Sequence, residues 1–481
     1  ELLSTGRKVF HNLHYRWMGK NHETIWINCR GRVLSDPEDG SPRYLVGCIN
    51  EIGAKQKADN VSGLLGEYSL KIFYESRSPK LPQGFLLRIG IDDFKNINES
   101  HGNEYGDYIL RRTAQCIEEN IGPEQSLFHI VADEFAVVDF SGGSVQQAED
   151  LFHEIKKSIY AFIEQNQYKA VYTVSGGIVK NGDVDNSFEN AMKLSEFALS
   201  EAKERGKNSC YVFEEEEYED YLKSRTLLRQ LHHAVNNGFE GFEAYFQPLV
   251  NAANGELTGA ETLLRFHSPE GGMVSPGEFI PILEESGLII PVGRWVLRQA
   301  LDACREWQKI LPEFKVNVNL SYVQVLKSRV LTDVRRIVDE FGVKPSSVCI
   351  ELTESGYLEE NERFDKVWNG LKEYGVLLAL DDFGTGYSNL RCLSDLKPAY
   401  IKIDRSFTLK ALNREYEYRL LNHIVEMSHS LGLHVCVEGI ETEGELTKAK
   451  QTEPDYIQGF LFGKPCSRAE FTQKFFTKQA G

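Results

Sequence analysis

From residue 241 onward, short apolar runs alternate with longer segments of helical or loop character. Eight runs read as strands, beginning near Glu243, Leu257, Lys315, Val348, Val376, Tyr400, His434 and Tyr456. Such repetition predicts a (β/α)8, TIM-like barrel. In a barrel strand, alternate residues face the lumen and the helix layer. Val316, Val318 and Leu320 share one face, with Asn317 and Asn319 on the other. Val348, Ile350 and Leu352 oppose Cys349 and Glu351, Ile401 and Ile403 oppose Lys402 and Asp404, and Val435 and Val437 oppose Cys436 and Glu438. The alternation turns Asn319, Glu351, Lys402 and Glu438 into the barrel near its C-terminal mouth. Glu261, Asp381 and Gln458 join them from the second, fifth and eighth strands.

Upstream, the pattern changes. Three strand-like runs, Leu13–Trp17, Thr24–Cys29 and Tyr44–Ile49, occupy residues 1–53, with a turn signal at 36–40. Residues 54–70 read as a linker helix. Residues 71–214 alternate helix and strand, predicting an α/β domain with strands at 86–91 and 172–178, a strand pair around Asp133-Glu134, and helices near 104–120 and 187–205. Residues 215–235 form a second linker, whose acidic run Glu214–Glu217 reads as a solvated helix face. The last domain spans 236–481.

The 481 residues carry 54 basic and 71 acidic side chains, a net charge of −17. That balance disfavours a nucleic-acid polymer as partner. It leaves room for a small phosphate ligand held by local cations. Nine scattered cysteines without a CxxC pair disfavour a disulfide framework or zinc site and point to a reducing, cytoplasmic setting. No apolar run is long enough to span a bilayer. The first residue is Glu1, so a membrane anchor upstream stays open.

The chemistry converges on the predicted mouth. Five carboxylates facing one opening repel unless cations or protons intervene. Glu261, Asn319, Glu351, Asp381, Asp382 and Glu438 offer only oxygen, a set suited to Mg2+ or Mn2+. Adjacent Asp381 and Asp382 can serve two ions, which together can clamp an in-line displacement at phosphorus. The residues alone therefore point to a two-metal phosphodiesterase or related hydrolase.

Residues 228–475 resemble the EAL family of cyclic di-GMP phosphodiesterases, through YFQPLV (245–250), AETLLRF (260–266), VNLS (318–321), ELTES (351–355), DDFGTGYS (381–388), KIDRSF (402–407), VEGIET (437–442) and QGFLFGKP (458–465). The signature triplet reads Glu261-Thr262-Leu263. The resemblance implies hydrolysis to linear 5′-pGpG with two Mg2+ or Mn2+ ions. Glu261, Asn319, Glu351 and Asp381 would hold one ion, and Asp381, Asp382 and Glu438 the other. Lys402 would orient the attacking water or assist its deprotonation. Glu354 would tie down the 382–388 loop. Gln247, Arg265, Asp404 and Gln458 would face the substrate, Arg265 at a phosphate, Gln247 at a guanine and Gln458 through a water. A homodimer is implied as well. The rival reading is a receptor that holds cyclic di-GMP without cutting it.

The middle segment resembles the GGDEF (diguanylate cyclase) family, through DNVSGL (59–64), IDDFKNIN (91–98), Gly106-Asp107, VADEF (131–135) and ALSEAKERGKN (198–208). Its chemistry departs from that family. Valine and alanine replace both signature glycines, Gly90 stands where a metal-binding aspartate is implied, and His129 replaces an arginine. Asp133, Asn98, Asp107 and Lys203 remain at positions the family uses. The domain is expected not to cyclise GTP, and to serve as a nucleotide-binding regulator or as an inert packing module. YRW, WINCRGRV and LVGCINEI resemble the C-terminal half of a PAS sensor domain.

Overall fold

The computed structural model describes residues 10–18, 24–35, 42–52, 58–77, 84–166, 171–183, 187–353, 362–384 and 390–477. The chain divides into two compact units, Glu1–Asp220 and Tyr221–Gly481. Among the described residues, no helix is long and apolar enough to cross a membrane.

In the first unit, β1 (Phe10–Met18), β2 (Thr24–Ser35) and β3 (Pro42–Ile52) form an antiparallel sheet in chain order. The three expected strands fall within them, and the turn signal at 36–40 lies outside the described residues. A second sheet has the order β5-β6-β4-β7-β8, from β4 (Phe85–Ile91), β5 (Gln125–His129), β6 (Glu134–Asp139), β7 (Val174–Lys180) and β8 (Cys210–Val212). Only β7–β8 is parallel. The centre strand β4 is buried on both faces. Phe85, Leu87 and Ile89 pack under helices Asn103–Asn120 and Val145–Gln165 with Ile109, Ile117, Phe152 and Ile155. Leu86 joins Leu70, Tyr74, Leu194 and Ala198 from helices Glu67–Arg77 and Phe188–Glu204 on the other side.

The linker helix expected over 54–70 is corrected over 58–66, which is not helical; among the described residues the helix begins at Glu67, and 54–57 lie outside them. Before it, the Asp59 carboxylate accepts from the N–H groups of Val61 (3.0 Å) and Ser62 (2.7 Å), and Gly63 takes φ 73°. Those side-chain bonds offer the backbone a turn in place of a helix. The second linker does form a helix, Glu215–Asn236.

The second unit is a closed barrel. Its staves are β9 (Phe242–Asn251), β10 (Leu257–Ser268), β12 (Lys315–Asn319), β13 (Val348–Thr353), β14 (Leu377–Phe383), β15 (Tyr400–Ile403), β16 (His434–Val437) and β17 (Tyr456–Gln458), with short β11 (Gly272–Val274) and β18 (Cys466–Ser467) appended to β10 and β9. Every predicted strand start lies within one residue of the observed one. One feature of a regular (β/α)8 barrel is altered: β9 runs antiparallel to both its neighbours, β10 and β17. A short β9–β10 hairpin requires that reversal. The helix layer follows the helical apolar period. Along Ile289–Trp307 the buried residues include Val292, Val296, Ala300, Ala303 and Trp307. These pack with Val316, Val318 and Ile350 from the outward faces of the staves.

Candidate active site

The parallel staves deliver their lumen-facing polar residues to one end, the C-terminal mouth where barrel enzymes carry their chemistry. Lys402, on β15, is the hub. Its Nζ lies 2.8 Å from Glu438, 3.0 Å from Glu351, 3.2 Å from Glu261 and 3.3 Å from Asp381. Asn319 donates to Glu261 at 2.9 Å. Gln458 donates to the other Glu261 oxygen at 2.6 Å and to Gln247 at 3.1 Å.

Two adjacent aspartates would ordinarily point to opposite sides of a strand. Here three steps of β14, Leu380 to Phe383, pair with two of β15, Ile401 to Ile403. The extra residue is a β-bulge, a device that re-aims side chains beside active sites. Asp382 sits at φ 57°, and its N–H donates to the Asp381 carboxylate at 2.9 Å. The bulge thereby places Asp382 beside Asp381 at the mouth.

The electrostatics follow from burial. Burial alone would strip the Lys402 proton, but Asp381, Glu261, Glu351 and Glu438 outweigh it and hold the pKa well above the ordinary lysine range. Burial raises the Glu351 carboxyl well above its usual value despite Lys402. Burial likewise pushes Glu438 up to about 8, and pushes Asp382, beside Asp381 and Asp404, up to about 6. Glu261 goes the other way: burial is overcome by Lys402 and by the bonds from Gln458 and Asn319. With Asp382, five carboxyls face one ammonium, and without further cations burial leaves Glu351 and Glu438 favouring their protonated forms near neutral pH; full ionisation would leave an excess of four negative charges for cations to offset.

That excess is the test of whether divalent ions fit. Carboxylate oxygens of Glu261, Glu351 and Asp381 lie within 4.8 Å of one another. The buried Gln458 Oε1 has no hydrogen-bond partner. An all-oxygen, strongly anionic cluster with an orphaned acceptor at its rim suits a hard cation and its waters. No comparable group occurs elsewhere among the described residues.

The remaining predicted residues are placed as follows. Arg265, two residues along β10 from Glu261, is half-buried, donates to the Leu264 carbonyl at 2.8 Å and lies over the Tyr245 ring. Among the described residues no carboxylate is within ion-pair distance of it. Asp404 caps helix Arg405–Asn413 by accepting from the Ser406 N–H at 2.7 Å, which commits one of its oxygens. Glu354 lies outside the described residues, as does most of the 382–388 loop. One residue escaped the sequence reading. Asn317 is buried and donates to Glu351 Oε1 at 2.7 Å, so the oxygen that Lys402 leaves is held in turn.

The middle domain shows no comparable carboxylate group among the described residues. A Cβ at Gly90 would lie 2.9 Å from Lys203 Nζ, so an ammonium fills the place where the resemblance implied an aspartate. The Asp92 oxygens already accept from Thr173 (2.6 Å), Ser175 (2.7 Å) and the Asn208 N–H (3.2 Å). Glu134 is paired with Arg88 at 2.7 Å, and His129 stacks on Phe135.

Comparison with known proteins agrees with this layout. The EAL domain family model matches residues 228–465, and that of the diguanylate cyclase GGDEF domain matches 69–209. The chain is 29% identical over 381 residues to the bifunctional diguanylate cyclase/cyclic di-GMP phosphodiesterase MucR of Pseudomonas aeruginosa, covering 79% of this chain and 55% of that one. It is 29% identical over 455 residues to the cyclic di-GMP phosphodiesterase PdeR of Escherichia coli, covering 94% and 67%. A solved structure of the EAL enzyme Bd1971 in its cAMP-bound form is 28% identical with a TM-score of 0.50, covering 63% of this chain and 80% of that one. The chain spans about half the length of the curated relatives it matches. With a GGDEF domain followed by an EAL barrel, the chain belongs to the GGDEF–EAL dual-domain family.

Proposed function

We propose that the barrel hydrolyses one phosphodiester bond of cyclic di-GMP, giving linear 5′-pGpG. The observation that carries this reading is the set of four carboxylates gathered around Lys402 at the barrel mouth, each within 3.3 Å of its Nζ. Glu261, Asn319, Glu351, Asp381, Asp382 and Glu438 would hold two Mg2+ or Mn2+ ions. Bound there, divalent ions lower the pKa of water and neutralise charge building on the phosphate.

The chain's own residues supply the rest. As an ammonium, Lys402 has three N–H donors and no lone pair. Its role is to orient the attacking water and offset negative charge. Arg265, with no carboxylate partner among the described residues, is available to a substrate phosphate. Gln458 fixes Glu261 with its amide N–H and keeps its carbonyl oxygen for a water. Gln247, its other partner, lies buried at the same rim and faces a guanine. Asp404 keeps one oxygen beyond its capping bond for the same ligand. Glu354 would tie down the 382–388 loop.

The middle domain does not cyclise GTP in this reading, and acts as a regulator or a packing module. A homodimer and a cytoplasmic setting accompany the proposal.

The test is incubation of the intact chain with cyclic di-GMP and Mg2+ or Mn2+, with chromatography of the products. A linear dinucleotide is expected, and is expected to vanish with chelator or in Glu261→Ala. Turnover retained in Glu261→Ala would show the site to be elsewhere. Tight binding without product would favour the receptor reading.

A further inference from the structure

Glu284 is out of place by the ordinary rules of helices. It stands in the last turn of helix Pro276–Ser286, beside Glu285, and that turn holds no basic residue. A carboxylate there meets the negative end of the helix dipole, where a cation is favoured. It is half-buried. Among the described residues no cation lies within ion-pair distance of it. Its partner is Ser321, whose hydroxyl donates to Glu284 Oε1 at 2.5 Å.

Ser321 matters because of what precedes it. Asn319 closes β12 at the mouth and is exposed, so packing does not fix its side chain. Its amide N–H is committed to Glu261, which leaves its carbonyl oxygen for an ion. That oxygen is aimed only if the backbone leaving the strand is held. Three restraints converge on the next two residues. The Leu320 N–H donates to the Glu351 carbonyl at 2.8 Å. The Ser321 N–H donates to Gln324 Oε1 at 3.1 Å, and the Gln324 amide is wedged against Gly293, where a Cβ would fall 2.1 Å from its Nε2. The third restraint is the bond to Glu284. Of the three it alone involves a charged group, which makes it the stronger kind of hydrogen bond.

We infer that Glu284 is a positioning residue: by holding the Ser321 hydroxyl it fixes the exit of β12 and so aims the Asn319 oxygen at a divalent ion. Glu284 acts through Asn319 and touches neither ion nor substrate. The inference rests on the ion-binding reading of the mouth given above.

The test is Mn2+ binding to the full chain without substrate, followed by the paramagnetic resonance signal of free Mn2+. Wild type is compared with Glu284→Ala, Glu284→Gln, Asn319→Ala and the double variant Glu284→Ala/Asn319→Ala. Loss of an outer partner weakens a metal site by about ten- to a hundredfold. Glu284→Ala is expected to raise the dissociation constant of one Mn2+ ion by about that factor. Glu284→Gln keeps an oxygen that accepts from Ser321 and is expected to stay within about threefold of wild type. In the Asn319→Ala background, removing Glu284 is expected to add nothing, because the two act as one unit. An unchanged dissociation constant in Glu284→Ala overturns the inference. So does a Glu284→Gln variant as weak as Glu284→Ala, which would mean that the charge itself acts on the ion. So does a loss that adds in full to that of Asn319→Ala, which would make Glu284 a general support of the fold. A wild type that binds no Mn2+ overturns the ion-binding reading itself, and that titration is read before any variant is compared.

Discussion

Asn317 shows what a single uncharged side chain contributes to a crowded acidic site. By donating to Glu351 it fixes one oxygen while Lys402 holds the other. Outer partners of this kind typically govern metal affinity by about ten- to a hundredfold. Asn317→Ala is therefore expected to raise the Mn2+ concentration needed for half-maximal turnover by about that factor; an unaltered metal titration would refute the role. Lys402→Met tests the hub itself. Removing one partner of a buried ionic cluster costs about 3–5 kcal/mol. The variant should melt well below wild type in chelator, recover part of that loss when Mn2+ is added, and show no turnover. Equal melting in chelator would mean that Lys402 carries no structural share. Period-two alternation made the lumen set legible, because a Glu or Lys among Val and Ile stands out. Asn317 lay on the correct face in the same pattern, but a neutral amide beside a valine carries no chemical signal until its partner is seen.

Between residue and molecule, the elements reveal where local patterns stopped being informative. Strand starts were readable because each apolar run is bounded by polar loops. The reversal of β9 was not, since alternation is the same in either direction. The bulge at Asp381-Asp382 was equally silent: an extra residue in one strand is defined only against its partner. The segment 58–66 misled for a different reason, because Asp59 and Ser62 divert the backbone into a turn. At the opposite ends of β16 and β17, Asp455 joins two elements by accepting from His429 (2.9 Å), His434 (2.9 Å) and the Val435 N–H (2.8 Å). Burial works against its ionisation, but those bonds outweigh it and hold the pKa below the ordinary aspartate value. A depressed folded pKa stabilises the native state above the unfolded pKa, and the gain is lost as pH falls through the folded value. Asp455→Asn should thus cost about 1–2 kcal/mol at pH 7, with the difference from wild type shrinking below about pH 4. Denaturant melts at both pH values check this, and an equal difference at each would refute it.

At the scale of the whole chain, the two matched domains differ at the positions where an ion is expected. The barrel keeps every oxygen donor its resemblance called for among the described residues. In the middle domain a Cβ at Gly90 would lie 2.9 Å from Lys203 Nζ, and the hydroxyls of Thr173 and Ser175 donate to Asp92. The intact chain supplied with GTP and Mg2+ is accordingly expected to yield no cyclic dinucleotide; its appearance in the product chromatogram would show that Gly90 and Lys203 leave room for an ion after all. The sequence announced both domains through their motifs, and Gly90 and the altered VADEF stretch are what motivate the expectation that GTP is not cyclised. The approach of Lys203 to Gly90 was not legible in the sequence, because the two residues are remote in the chain. The reversed β9 has one more consequence, for the order in which the protein becomes competent. The ring is sealed when β17 docks on β9, and Gln458 then reaches Gln247, 211 residues earlier, and Glu261, 197 residues earlier. Closure over such distances is slow. During synthesis, one edge of the first barrel strand must wait for β17, some two hundred residues later, so the candidate site is born complete or not at all.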